Sequence, residues 1–374
     1  SRSGSYQNVG GGGGGGGAFY SVTPTSINQY KTKYYWKILA EDTAHGESNT
    51  KIYSLTTELP SAFDPFTEGW QYRKTVTINH TKVVGGLTDF PVLFDMTDSD
   101  LAAHAQTSGN DILFTDAVGT TTRLKHEIES YNSGSGHLTA WVKVPHLSST
   151  TDTVLYLYYG NPYALSQADA QGVWDSSYVL VEHLREASGV VLDSSSFGNN
   201  GTVVGGVTQG AVGKVDGACG FDGSSGYIQV PDADSLDGMA ALTIQLWVKQ
   251  STYHDNGIVN KASGGSYLLQ GWSDSAMYWQ VPGGPRAIAP AGSYPLNAWY
   301  YLVAVSAGSQ LLIYVNGVQK ASSAGAFAVP TDSSPVQIGQ NGFGKYFNGL
   351  LDEVRISKTA RSADWISTEY NNQN

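Results

Sequence analysis

From Trp70 onward, apolar and polar residues alternate in short runs: WQYRKTVTINH, FPVLFDM, NDILFTD, LKHEIESYN, HLTAWVKVP and TDTVLYLYYGNP. Gly, Asn, Asp or Pro closes each run, and these are the residues that turns require. A period of two belongs to a strand with one dry face and one wet one. Residues 64–170 therefore read as a β-sandwich. The same rhythm resumes over 173–374, for example in ALTIQLWVK and WYYLVAVS, giving about a dozen further strand-like runs. Two segments break it. SDLAAHAQ (99–106) predicts one helical turn opened by Ser99 or Asp100, and TARSADWISTEYN predicts a closing helix with Ser362 as its N-cap. The fold class is all-β and multi-domain, two layered β units in series.

The N-terminal region is different. Residues 10–17 are consecutive glycines, with maximal backbone freedom and nothing to bury, so 1–19 reads as a tether. In 20–60, YYWKILAED and TKIYSLTT flank the turn AHG as a hairpin. This pair resembles the last two strands of a fibronectin type III domain, with Tyr35 and Trp36 in the aromatic positions. A lone hairpin is marginal in water, so a neighbour is expected to cover it.

Two further resemblances carry more of the chain. W-x-YRK-x-V-x-I, DFPVL, DI-x-F, EIE, WVKVP and YLYYGNP, in that order, are similar to an uncharacterised prokaryotic surface family, domain of unknown function 2341. HLREASGVVLDSSSFGNNG, ACGFDGSSGYIQVP and LDEVRISKTARSADWISTEY resemble a laminin-G-like domain of the concanavalin A-like jelly-roll class, over 173–374. Together these imply a sandwich followed by a jelly roll, in a secreted or cell-surface protein.

Composition narrows the partners. Only 14% of the 374 residues are charged, Gly numbers 45, and the net charge is −11. With no basic stripe, nucleic acid and anionic membranes are poor partners. No run of 18 apolar residues exists to span a membrane, and the single Cys219 cannot form an intrachain disulfide. The opening SRSGSYQ lacks Met and reads as part of something longer or processed. The expected location is extracellular, at the cell surface.

Candidate chemistry begins with Ca²⁺, which takes six to eight oxygens, many from Gly/Asn-rich loops. DSSSFGNNG (193–201) and LDEVRI (351–356) offer such oxygens. The jelly-roll resemblance implies one structural Ca²⁺ on Asp352, with Asp193 and carbonyls near Gly198 and Asn200 as partners; Asp222 in FDG is a further candidate. Otherwise these Asp residues cap turns. Zinc has weaker support, since the His residues are scattered without an H-x₃-H pair. Glu127 and Glu129 in HEIE share a strand face, with no third acid nearby in sequence, and read as solvated. Without a G-x-S-x-G elbow or the E-x-D-x-x-E triplet of jelly-roll glycosidases, the chain reads as non-enzymatic.

Sugar binding has the better support. SYLLQGWSDSAMYWQVPGGPR (266–286) gathers Tyr267, Trp272, Tyr278 and Trp279, with Asn256, Gln270 and Arg286 as polar companions. Aromatic faces stack on sugar C–H faces while amides and charges read hydroxyls. Tyr278 and Trp279 must face opposite ways in a strand, and aromatic pairs in sandwiches are usually core. Asn79 and Asn200 head N-glycosylation sequons, which occur by chance at this length. The leading expectation is adhesion, with a Ca²⁺-stabilised lectin-like module binding a glycan or a surface protein. The alternatives are self-association into a filament by strand exchange, and an accessory binding region of a larger polysaccharide-degrading enzyme.

Overall fold

A computed structural model describes residues 63–118, 122–261, 265–282, 285–325 and 328–374, together with the backbone of Lys33–Asp42 and Glu47–Thr56. These last two strands pair antiparallel, Lys33 opposite Thr56 and Asp42 opposite Glu47, as the hairpin reading expects. The glycine run and the rest of the predicted tether lie outside the described residues. The chain divides into Ser1–Ala62 and Phe63–Asn374.

Within Phe63–Asn374 the first sandwich stacks two three-stranded antiparallel sheets. One runs Tyr72–Ile78, Thr153–Tyr159, Leu113–Thr115; the other runs Leu87–Thr97, His137–Leu147, His126–Asn132. Phe90, Val92, Phe114, Leu138, Ala140, Val142, Leu155 and Leu157 fill the space between them. The predicted turn at 99–106 is the helix Ser99–His104. Its N-cap is Asp98, one residue before Ser99 and two before Asp100, because the Asp98 carboxylate accepts from the amides of both Asp100 and Leu101.

The second sandwich has a seven-stranded sheet from Thr202–Val204 at one edge to Ala287–Ala289 at the other. Against it lies an eight-stranded sheet centred on Asn348–Ser357, Leu242–Gln250 and Tyr300–Ser306. Alternation decides what each face meets. Ile244, Leu246, Val248, Leu302 and Ala304 point between the sheets. Trp247, Tyr301, Val303 and Val305 point outward, where the helix Ala363–Gln373 covers them with Ile366. Ser362 caps that helix as expected, its side chain accepting from the Trp365 amide.

The two sandwiches are not beads on a string. Where a joint was expected near 170–173, the chain forms the short helix Ala170–Val173, capped by Asp169. Val173, Trp174, Tyr178, Val181, Val215 and Trp365 then complete the apolar core of the first sandwich. The closing helix bridges both. Trp365 packs on Phe90 at 4.7 Å, and Asn372 both accepts from the Leu93 amide and donates to its carbonyl. Leu87–Thr97 is an edge strand, so this amide side chain occupies backbone groups that would otherwise invite another strand.

Candidate functional site

At its far edge the seven-stranded sheet brings Tyr267–Gly271, Met277–Gln280 and Ala287–Ala289 side by side, with Gln270, Tyr278 and Ile288 in register. Trp272 follows the first of these strands. Its ring lies 5.2 Å from that of Tyr278 at 40°, and both are half-buried. Asp274, in the turn between them, holds the pair in place. Its Oδ1 accepts from the Ala276 amide (2.9 Å) and its Oδ2 from the Tyr278 hydroxyl (2.8 Å). These hydrogen bonds hold the Asp274 carboxyl below its ordinary value; the same Asp274 bond raises the Tyr278 phenol. Arg286 is exposed and close enough for its charge to act on Tyr278. The result is an open aromatic step flanked by an acid and a guanidinium.

Only part of the predicted aromatic set reaches this edge. Tyr267 and Trp279 are fully buried between the sheets, with the Tyr267 hydroxyl donating to the Leu236 carbonyl and Trp279 Nε1 to that of Val305. Being inward positions of their strands, they cannot meet an outside ligand. Asn256 is also buried and serves the backbone, donating to the His254 carbonyl and accepting from the Gly271 amide. Gln270 is on the Tyr278 face but nearly enclosed. Trp272 and Tyr278 do come together, and Arg286 is exposed just before the paired strand Ala287–Ala289. Asp274 was missed, although its place in the turn between two aromatics was the available signal.

The loop residues nominated for Ca²⁺ spend their oxygens on their own turns. Asp193 accepts from the amides of Val181, Ser195 and Asn199 and from the Ser195 hydroxyl. The Gly198 carbonyl is taken by the Asn200 amide, and Asn200 Oδ1 by the amide of Asp193. Asp222 accepts three amides and two hydroxyls from Ser224, Ser225 and Gly226. A carboxylate ringed by donors presents positive dipoles where a cation would sit, so these loops are turn caps. Asp352 is apart from them. Its Oδ2 accepts from the amides of Lys214 and Val215, and burial together with neighbouring Glu353 pushes its carboxyl well above the ordinary value.

A second constellation lies between the sandwiches, and it overturns the solvated reading of Glu127 and Glu129. Both are buried, as are His183, Glu353, Arg355 and Glu369. A bulge in Asn348–Ser357 opposite Gln245 and Trp247 puts Glu353 at φ +54°, a strain of about 1–3 kcal/mol for a non-glycine residue. The bulge turns Glu353 toward His183, whose Nδ1 lies 2.8 Å from Glu353 Oε1 and 3.5 Å from Glu129 Oε2. The other ring nitrogen is 3.3 Å from Glu127 Oε2. Trp141 Nε1 donates to Glu129 (2.7 Å), and Trp174 Nε1 and Ser194 Oγ donate to Glu127. Arg355 bonds Glu353 and Glu369 while its guanidinium lies 4.2 Å over Trp141. Burial alone would lower the His183 pKa, but Glu353, Glu127 and Glu129 outweigh it and raise it well above the ordinary value. Burial pushes the Glu129 carboxyl up, and Glu353 adds to that.

The comparisons agree with this architecture. Residues 222–367 match the family model of the concanavalin A-like lectin/glucanases superfamily, laminin-G type, and residues 108–197 match that of domain of unknown function 2341. The chain thus carries a lectin-like jelly roll joined to a domain of that uncharacterised family. The second match runs past the first sandwich through Trp174 and His183, both of which belong to the seam.

No curated protein sequence matches the chain. Among solved structures, the binding domain of Paraclostridial Mosquitocidal Protein 1 is similar at 16% identity and a TM-score of 0.45, covering 52% of each chain. Domain 4 of AbnA, a GH43 extracellular arabinanase from Geobacillus stearothermophilus, in complex with arabinotriose, is similar at 22% identity and a TM-score of 0.42. It covers 51% of this chain and 97% of that one. The botulinum neurotoxin type G receptor-binding domain is similar at 15% identity and a TM-score of 0.42, over 52% and 51%. The chain spans about half the length of the first of these.

Proposed function

We propose that the chain is a non-enzymatic binding protein displayed outside the cell, whose jelly roll takes a carbohydrate at the Trp272–Tyr278 edge. The observation that carries this reading is that aromatic step itself, half-exposed and fixed by Asp274 beside Arg286. An apolar ring face with a fixed acid beside it and an exposed guanidinium nearby suits a sugar ring, apolar on its C–H face and rich in hydroxyls at its edge. A single open step binds weakly, so retention on a surface comes from several copies or a repeating glycan. The acids that do converge, Glu127, Glu129 and Glu353, are enclosed by Trp141, Trp174 and Arg355, where a polymer has no access. That favours binding over hydrolysis.

A glycan array probed with the full chain, followed by affinity electrophoresis in the retained polysaccharide, tests the reading. Trp272→Ala should weaken retention about tenfold, the equivalent of ~1.4 kcal/mol for a lost stacking face, while the melting temperature stays close to that of the parent. Unchanged retention would place the site elsewhere, and so would an array on which no carbohydrate is retained.

A further inference from the structure

The seam holds more ligand atoms than its fold requires. Among the described residues, Glu129, His183 and Glu353 form the one group of three or more His, Cys, Asp or Glu residues whose metal-binding atoms all lie within 4.8 Å of one another. We propose that these three residues bind a divalent transition-metal ion, Zn²⁺ or a close congener, as a structural clamp between the two sandwiches.

Four features point there. His183 turns Nδ1 toward both carboxylates, while its other nitrogen lies 3.3 Å from Glu127 Oε2, where a small ring rotation would let that outer carboxylate orient a metal-bound imidazole. Each ligating carboxylate is steadied by a second donor: Trp141 bonds Glu129, and Arg355 bonds Glu353 through Oε2, leaving Oε1 on the His183 side. The Oε1 atom of Glu129 is enclosed yet receives no hydrogen bond, an expensive state for a buried carboxyl oxygen. Finally, four carboxylates (Glu127, Glu129, Glu353 and Glu369) face one guanidinium and one imidazole in a space closed by two indoles. A divalent ion supplies positive charge there without needing a proton on Glu129 or His183. An imidazole donor selects a transition metal over Ca²⁺, and with all three ligands buried no substrate reaches the ion, which leaves it a structural role.

The ligands are sealed, so the ion must enter as the chain folds. The full chain is therefore produced in metal-depleted medium and in medium supplemented with Zn²⁺ or Co²⁺, then desalted. Elemental mass spectrometry should find about one ion per chain after supplementation. The Co²⁺ form should absorb in the visible, and the supplemented protein should melt several degrees higher than the depleted one. Glu129→Gln keeps the side-chain shape and should abolish both the retained metal and the difference in melting. His183→Gln should do the same if it folds. Metal well below one equivalent in the parent chain would overturn the proposal, as would equal retention by Glu129→Gln. A parent indifferent to metal, with Glu129→Gln raising the melt, would also overturn it, because protons would then hold the seam.

Discussion

Two places among the described residues combine tryptophan, acid and arginine to opposite ends. At the jelly-roll edge, Trp272 and Tyr278 sit beside Asp274 and Arg286 with water on one side. At the seam, Trp141 and Trp174 close over Arg355, Glu353, His183 and Glu129. The residue types are similar and the outcomes are opposite. A charge in water needs no partner and contributes little to stability, so it is free to meet a ligand. A buried charge must be matched, and the residues that match it are committed to the fold.

The strongest way to break this contrast is Arg355→Ala. It strands Glu353 and Glu369 in the interior and should cost about 3–5 kcal/mol in denaturant unfolding. A loss under about 1 kcal/mol would show that the seam tolerates unpaired acids as the edge does. Trp279→Ala and Trp272→Ala test the contrast across one strand pair. The first opens a cavity between the sheets and should cost about 3–5 kcal/mol. The second should cost about 1 kcal/mol or less and act on binding instead. Similar losses for both would remove Trp272 from the surface site.

A smaller effect comes from Asp175, at the rim of the seam, where burial is partial. Burial raises its carboxyl, but Arg361 and Ser177 more than offset that, so the group lies below its ordinary value. A depressed folded value contributes stability above the unfolded carboxyl pKa near 3.9 and loses it as pH falls through the folded value. Asp175→Asn should therefore lower stability at neutral pH by on the order of 1 kcal/mol and flatten the acid limb below about pH 4. An unchanged acid limb would class the rim with the edge.

Much of the fold was legible because alternation is a local signal. The strand runs, the closing helix with its Ser362 cap, and the opposite directions of Tyr278 and Trp279 all follow from period and turn chemistry. Alternation does not say which face will be covered, however. Glu127 and Glu129 were correctly placed on one face, but that face is closed by residues far along the chain, His183 and Glu353 themselves being 170 positions apart. Tyr267 and Trp279 were nominated for the ligand on the same ambiguity and belong to the core. The loop residues nominated for Ca²⁺ are turn caps, which the sequence hides for another reason. A Gly/Asn/Asp loop looks the same whether its carboxylates hold a cation or cap their own turn, and only the direction of the amides decides.

The stitching of Ala363–Gln373 onto the first sandwich bears on how the polypeptide acquires its shape. Thr368 meets Val84 across 284 positions, and Asn372 meets Leu93 across 279. Closing a loop of that span precedes any reward from the contact, which slows the search and leaves the Leu87–Thr97 edge uncovered meanwhile. The early part of the sequence must therefore wait for the late part to emerge, and a nascent chain stalled between the two would be vulnerable to aggregation and proteolysis.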